Sequence, residues 1–195
     1  MNEPHKSRLH MLKVRGMVPA DGDEVTEQLI ADGLARRCGS LVTVTDMGAQ
    51  TARRNAELPA DAPERAALGR GYDAFMPLNA EFLDICSAWQ VRPDGVPNDH
   101  DDATYDWEVR ERLESVHERI VPVLGHLASA APRFGEYAER FGQALEALDD
   151  GDRRWFASPR IESYHTVWMQ LHEELRLALG VDVAREAAQP LKAAG

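Results

Sequence analysis

The sequence has little cysteine, no long apolar run and none of the familiar catalytic motifs. Cys38 and Cys86 are its two cysteines and stand far apart, which excludes a disulfide framework, a zinc ribbon and a thioredoxin motif. It contains no apolar run of about 18 residues, and no apolar leader follows Met1, so we predict neither a membrane span nor a signal peptide. We therefore expect a cytoplasmic protein.

Motifs for specific chemistry are also missing. The sequence contains no G-x-S-x-G, P-loop or G-x-G-x-x-G motif, so no reaction type is indicated. His172 and Glu173 begin like a zinc-protease motif, but Arg176 stands where the second histidine belongs. We predict no metal site, and the sequence identifies no cofactor.

Negative charge is concentrated in the later part of the chain. The formal net charge of the 195 residues is -11. Residues 1–70 carry 10 basic and 10 acidic side chains, whereas residues 71–195 carry 12 and 23. Because an acidic surface repels the phosphate backbone of nucleic acids, contact with DNA is expected only from the first third of the chain.

The hydrophobic pattern predicts a mainly α chain with two domains and a tail. Residues 1–58 are expected to form a small module with helices at 7–17 and 23–37, a strand at 41–45 and a helix from Asp46 to Pro59. Residues 62–183 are expected to form an antiparallel, four-helix bundle-like domain. Its amphipathic helices are predicted at 62–90, 104–129, 132–149 and 159–179, with Pro122 kinking or splitting the second. The tail, 184–195, is expected to be loosely ordered.

Part of the first module resembles a known family. The stretch EQLIADGLARRCGSLVTVTDMG, residues 27–48, resembles the end of the winged helix-turn-helix domain of MarR-like and PadR-like transcriptional regulators. There, a recognition helix ends in a Gly-Leu step like Gly33 and Leu34, a β-wing follows, and a Thr-x-x-Gly step like Thr45 to Gly48 starts the next helix. With the first helix included, the resemblance spans residues of about 7–54.

The resemblance implies DNA contact through the wing and its flanking helix, and a homodimer. The basic residues available for phosphate contacts are Arg36, Arg37, Arg53 and Arg54. Alternatively, these arginines are solvated residues at helix ends. The candidate recognition helix carries Asp23, Glu24, Glu27 and Asp32, which a phosphate-lined groove would repel. We therefore expect DNA binding that is weakened or lost.

The helical region places polar residues where a core is predicted. On the last helix, His165, Trp168 and His172 follow the spacing of a packed seam, and Asn79 lies in the apolar stripe of helix 62–90. The loop at 91–103 contains Asn98, His100 and Asp101 and is flanked by the aromatic residues Trp89, Tyr105 and Trp107. If the loop folds over the end of the bundle, His100 or Asp101 would approach Ser163, His165 and Trp168. The predicted ligand-binding residues are thus Asn79, Trp89, Asn98, His100, Tyr105, His165, Trp168 and His172.

These residues also have a structural interpretation, because buried His and Asn side chains usually close core hydrogen bonds and Asp-rich loops usually cap helices. The first functional hypothesis is a small-molecule-responsive regulator with a helical ligand-binding domain. The alternative is an enzyme or a small-molecule- or metal-binding protein, in which His165, His172, His100 and Asp101 supply acid/base or ligating groups. A third is an adaptor whose acidic surface binds a basic partner.

Overall fold

The computed structural model describes residues 1–182, which divide into two compact units. The N-terminal unit contains residues 1–65 and 170–182, and the helical unit contains residues 66–169. Within residues 1–182, eight α-helices and one three-stranded antiparallel sheet are found, so the prediction of a mainly α chain with a small β element is confirmed. The predicted tail at 184–195 lies outside the described residues, as does residue 183.

The N-terminal unit alternates short helices and strands. Asn2 caps the first helix by accepting a hydrogen bond from the His5 N–H, and Asp23 caps the second in the same way through the N–H groups of Val25 and Thr26. The strand order is β1-β3-β2, and both pairings are antiparallel. The elements are α1 (Glu3–Arg15), β1 (Met17–Pro19), α2 (Glu24–Ala31), β2 (Ala35–Cys38), β3 (Leu41–Val44) and α3 (Asp46–Ala56).

Two of the three strands differ from the sequence prediction. The strand predicted at 41–45 is present as β3, but β1 and β2 were expected as loop and helix. The helix predicted over 23–37 ends at Ala31, and Gly33 follows with a positive φ. Arg36 and Arg37 therefore lie on a strand and not at a helix end. Both strands are too short to show a period of two, and their pairing with β3 depends on contacts that are distant in sequence.

A close backbone contact at Gly48 and a buried apolar cluster stabilise the N-terminal unit. Gly48, in the first turn of α3, sits where a Cβ atom would overlap the backbone carbonyl oxygen of Leu34. Thr45 caps the same helix by accepting a hydrogen bond from the Gly48 N–H. Because of this close approach, only a residue without a Cβ atom fits three positions after Thr45. The buried cluster contains Leu9, Leu12, Val18, Leu29, Ala35, Val42 and Ala52.

Residues 170–182 make polar contacts with α1 and with Arg65. The carboxylate of Glu174 is buried and lies 2.8 Å from Nε2 of His10. Lys13 forms an ion pair with Glu173. The guanidinium of Arg65 donates to the Leu179 carbonyl at 2.6 Å. The second half of the last helix, which the hydrophobic pattern placed in the bundle, thus belongs to the N-terminal unit.

The helical unit is dominated by two long helices. Pro122 lies inside the second, which continues without a break, so this residue does not split it. The last helix begins at Tyr164 and not at Pro159, because a short helical turn precedes it. No helix within residues 1–182 combines the length and the apolar character needed to cross a bilayer. The elements are α4 (Pro63–Gln90), α5 (Ala103–Ala130), a 3-10 turn (Pro132–Phe134), α6 (Tyr137–Asp149), α7 (Arg154–Ala157) and α8 (Tyr164–Leu179), with α8 assigned to the N-terminal unit from residue 170 onward.

Helices α4 and α5 form an antiparallel hairpin. Arg119 on α5 forms an ion pair of 2.7 Å with Glu81 on α4. Toward the open end of the hairpin, Gly71 on α4 lies against the side chain of Leu127 on α5. The absence of a side chain at Gly71 permits this close packing, and the core between the helices is aromatic, with Phe75, Phe82, Phe141, Tyr164 and Trp168 all buried.

Gly69 and Gly71 offer a matched pair of substitutions for testing this packing. A Cβ at Gly71 would overlap Leu127, whereas one at Gly69 meets nothing within 4 Å. We expect Gly71→Ala to lower the free energy of unfolding by about 1–3 kcal/mol, because the core is overpacked. Gly69→Ala should raise it by up to about 1 kcal/mol, because alanine is the better helix former. Urea unfolding followed by circular dichroism measures both changes, and equal effects would contradict the described packing.

Candidate functional site

A buried polar cluster closes the loop between α4 and α5. The amide Nδ2 of Asn98 donates to the Trp89 carbonyl at 3.1 Å and to Oδ1 of Asp106 at 2.9 Å. Nδ1 of His100 lies 3.0 Å from each carboxylate oxygen of Asp106. Asp106 is 6% exposed. We call Asn98, His100 and Asp106 the loop clasp, because they tie the loop to the ends of both helices.

The hydrogen bonds of the clasp determine which ring nitrogen of His100 carries a proton. A carboxylate can only accept hydrogen bonds, so the contact with Asp106 requires the proton on Nδ1. Nε2 makes no hydrogen bond with the described residues.

His100 also adopts an unusual backbone conformation. Its φ of 63° is the one positive value among the non-glycine residues of the described chain. The backbone of a non-glycine residue with this φ is strained, and this conformation persists only where surrounding contacts stabilise it. The bonds from His100 to Asp106, and the cap that Asp102 gives to the Thr104 and Tyr105 N–H groups, supply those contacts.

Aromatic rings cover the clasp. Trp89 stacks on Phe156 with ring centroids 4.1 Å apart and planes at 2°, and the ring of His100 lies 4.4 Å from Trp89. The hydroxyl of Tyr105 donates to the Ala88 carbonyl at 2.9 Å. The structure therefore brings together four of the residues predicted from the sequence, namely Trp89, Asn98, His100 and Tyr105.

A pocket of about 280 Å³ opens beside the clasp. Asp106 contributes to its wall, and Nε of Arg153 lies 4.0 Å from Oδ2 of that carboxylate. Arg110 forms an ion pair with Asp149. Trp107 is 57% exposed, which is unusual for a tryptophan. The lining residues are Trp89, Ala103, Asp106, Trp107, Arg110, Leu148, Gly151 and Arg153.

Sequence reasoning missed most of this wall. Asp106 lies within the first turns of a helix, where acidic residues normally serve the helix dipole, so it carried no distinct signal. Arg110 and Arg153 are 43 positions apart in the sequence and meet only through the fold. Trp107 was noted as an aromatic residue flanking the loop but was not predicted to bind a ligand, although it lies off the apolar stripe of α5, where a tryptophan is expected to be exposed.

Asn79 and Trp168 form a second, separate polar contact. Nε1 of Trp168 donates to Oδ1 of Asn79 at 2.9 Å, and both residues are buried. Trp168 packs on Phe82, with ring centroids 4.3 Å apart. Phe82 and Trp89 are two helical turns apart on α4, which is a rise of about 10.5 Å. This pair therefore closes a core hydrogen bond, the structural interpretation given above.

The remaining predicted residues are distributed over the chain. His165 is half-buried and stacks on Phe82 at 6.0 Å, and Ser163 donates to the Ser158 carbonyl at 2.9 Å. Asp101 is exposed in the loop. In the part of the chain that the structure describes, neither His100 nor Asp101 contacts Ser163, His165 or Trp168. His172 is half-buried and belongs to the N-terminal unit.

The four predicted DNA-contacting arginines are exposed, but one is already paired. Arg37 on β2 forms an ion pair with Glu27 on α2. Arg36 lies 3.3 Å from the Cys38 sulfur through Nη1. Arg53 and Arg54 lie on the exposed face of α3. The surface of α2 carries Glu24 and Glu27 and no basic side chain.

Burial shifts several ionisable groups in the helical unit. It lowers the pKa of His165 and that of His117, whose Nδ1 lies 3.1 Å from the Tyr164 hydroxyl oxygen. Burial also raises the pKa of the Cys86 thiol to about 12, so this cysteine is unreactive at neutral pH. Among the described residues, no group of three His, Cys, Asp or Glu side chains could hold a metal ion.

Comparison with family models, with curated proteins and with solved structures found no match to this chain. Neither a family nor a related fold therefore assigns an activity. The loop clasp and its pocket are the features from which a function can be argued, because they combine buried polar groups with an accessible concave surface.

The lowered pKa of His165 predicts a pH-dependent stability. The folded state binds a proton less readily than the unfolded state, so stability should be complete above the unfolded pKa of about 6.5 and decrease as the pH falls through it. His165→Gln cannot titrate and should reduce the difference between urea unfolding at about pH 7.5 and pH 5. His126→Gln, which removes an exposed imidazole on α5, is the control. Equal pH dependence in the wild type and His165→Gln would show that the prediction is wrong.

Proposed function

We propose that the protein is a small-molecule-binding regulator whose helical unit holds the ligand in the pocket beside the loop clasp. One observation carries this proposal: the buried carboxylate of Asp106, bonded by His100 and Asn98, forms part of the wall of a concave pocket with tryptophan and arginine side chains. Small-molecule sites usually combine aromatic walls with a few fixed polar groups.

The clasp supports binding because it holds the polar groups in place before a ligand arrives. Asn98 joins the end of α4 to the start of α5, so the loop cannot move without breaking buried hydrogen bonds. Preorganised side chains lose little entropy when a ligand binds, which leaves more of the interaction energy for affinity. The strained φ of His100 is typical of residues at functional sites.

The N-terminal unit supports the second part of the proposal, a winged-helix-like module. Its β2 and β3 form a hairpin after α2, and β1 adds to the same sheet, as a winged helix requires. Two helices, and not three, precede the hairpin in residues 1–38. The exposed carboxylates of α2 and the pairing of Arg37 with Glu27 oppose phosphate binding. We therefore propose that this module derives from a DNA-binding domain whose affinity for DNA is weakened.

An enzyme is the second candidate, and the bond from His100 to Asp106 favours it. The carboxylate orients the imidazole and leaves Nε2 for proton transfer, an arrangement used in acid/base catalysis. The two candidates differ in one observable property. A binding protein returns its ligand unchanged, whereas an enzyme converts it, and proton NMR spectra of the same sample over time distinguish the two.

Filling the pocket tests small-molecule binding. Ala103 lines the pocket, whereas the neighbouring Thr104 does not. A fragment library that contains acids, amines and neutral compounds is screened by NMR, and binding is detected as a shift of the Trp107 indole N–H signal. We expect compounds that move this signal in the wild type to lose at least about tenfold in affinity with Ala103→Phe, because the new ring occupies their space.

The control for this screen is Thr104→Phe, which adds the same ring at an exposed position outside the pocket. Its affinities should stay within about twofold of the wild type. If no compound in the library moves the Trp107 signal, or if both variants bind equally well, the pocket is not the binding site and the proposal fails.

Reversing charge on α2 tests the winged-helix part. Glu24→Lys with Glu27→Lys removes the carboxylates from the proposed groove-facing helix and releases Arg37 from its partner. We expect association with duplex DNA at low ionic strength, measured by fluorescence anisotropy, to strengthen by at least about tenfold.

Asp61→Lys with Glu64→Lys changes the net charge of the same unit by the same amount on residues outside α2. This control should strengthen DNA association far less. An equal gain in both double variants would mean that only net charge matters, and α2 would then not be a groove-facing helix.

A further inference from the structure

The geometry points to the class of ligand that the pocket takes: a small aromatic acid with one or two rings and a single carboxylate. This inference rests on the proposed function, because it concerns the same pocket. Three independent observations support it. They are the volume of the pocket, the exposed indole ring of Trp107 and the excess of unused hydrogen-bond donors over unused acceptors on the pocket wall.

The size of the pocket limits the ligand. Its volume of about 280 Å³ is at or just below the lower end of the range of small-molecule sites, which is about 300–1,000 Å³. A dinucleotide or a large cofactor would not fit. A compound of one or two rings would fill the space between α5, the end of α6 and the turn at Gly151.

The available ring surface belongs to Trp107. Trp89 already contacts two rings, since it stacks on Phe156 and its ring centroid lies 4.4 Å from that of His100. Trp107 is 57% exposed and makes no ring contact with the described residues. An indole with a free face beside a concave surface favours a flat partner that can stack on it.

Donors on the wall are in excess over acceptors. The single Nδ1–H of His100 is shared between the two oxygens of Asp106, and Oδ1 also accepts a hydrogen bond from Asn98. Arg153 is 58% exposed, and its recorded side-chain contact in the described chain is the 4.0 Å approach to Asp106. A guanidinium has five N–H donors. Arg110 shows the same surplus, since its Nε has no hydrogen-bond partner in the described chain.

This imbalance selects an anion over a cation. A ligand that brings acceptor oxygens would satisfy donors that are unused, and a planar guanidinium matches a carboxylate with two parallel hydrogen bonds. A ligand ammonium would instead have to compete with His100 and Asn98 for a carboxylate that is already bonded. Arg153 would also repel it, whereas the charge of Arg110 is balanced by the ion pair with Asp149. The aromatic face and the unused donors together define an aromatic carboxylate.

Three probes of nearly equal shape and different charge test the inference. Benzoate, benzamide and benzylamine are titrated into the full-length protein, and the indole N–H signals of Trp89, Trp107, Trp155 and Trp168 are followed by two-dimensional NMR. We expect benzoate to shift the Trp107 signal saturably and benzamide to bind at least about tenfold more weakly. Benzylamine should not shift it. The Trp168 signal, from the indole bonded to Asn79, should stay in place and report an intact core.

Arg153 and Arg154 provide matched variants. Arg153 lines the pocket, whereas Arg154 is 74% exposed and pairs with Asp152. Arg153→Gln should weaken benzoate binding by at least about tenfold, and Arg154→Gln should leave it within about twofold. Both variants remove one positive charge from neighbouring positions, so a difference between them reports a direct contact and not a change in net charge.

The outcomes separate the ligand class from the proposed function. If benzamide or benzylamine shifts Trp107 as strongly as benzoate does, or if the two arginine variants behave alike, the anionic class is wrong while binding at the pocket stands. If none of the three probes shifts Trp107, the aromatic-acid inference is overturned. The fragment screen with Ala103→Phe then decides separately whether the pocket binds any small molecule.

Discussion

The buried carboxylate of Asp106 is the constraint on which the proposed site depends. A carboxylate removed from water is costly unless hydrogen bonds compensate it. Asn98 and His100 supply those bonds, and to reach them the loop must follow one path, with a positive φ at His100. That path places the imidazole against Trp89. The shape of the pocket wall beside the clasp therefore follows from the hydrogen bonds that the buried carboxylate of Asp106 requires.

Two of the buried polar contacts in the helical unit contain residues predicted to bind a ligand, and only one of them supports a functional argument. Asn79 and Trp168 satisfy each other inside an aromatic core, so nothing remains for a ligand to do. At the clasp, the acceptors are satisfied, while Arg153 beside the pocket makes only a 4.0 Å approach to Asp106 and the buried Nε of Arg110 has no hydrogen-bond partner in the described chain. Both contacts place polar groups where the sequence predicts a core. The clasp differs because it adjoins an open pocket whose wall has more unused donors than unused acceptors.

The sequence predicts those parts of the molecule that depend on local periodicity. The apolar stripes of α4, α5 and α6 identify the buried residues well, and Trp89, Asn98, His100 and Tyr105 are neighbours because all four lie at or near one loop. Strands β1 and β2 were missed because pairing with β3 stabilises them, which no short window contains. Arg153 reaches the wall through the turn at Gly151, and its place depends on how α6 packs beside α5. Contacts between distant segments thus account for most of the errors.

If the N-terminal unit is the winged-helix-like module proposed above, its charge pattern separates the fold from DNA binding. A sheet with the order β1-β3-β2 and a hairpin after a helix provide the frame on which a winged helix presents cations to DNA. Here Glu27 occupies the helix surface and pairs with Arg37 on β2, so the basic side chain that would meet a phosphate already has a carboxylate partner. Binding a phosphate would require breaking that pair and bringing Glu24 close to the same negative charge, and both steps oppose association. The backbone arrangement can therefore persist as a stable module, because its apolar cluster does not depend on these surface charges.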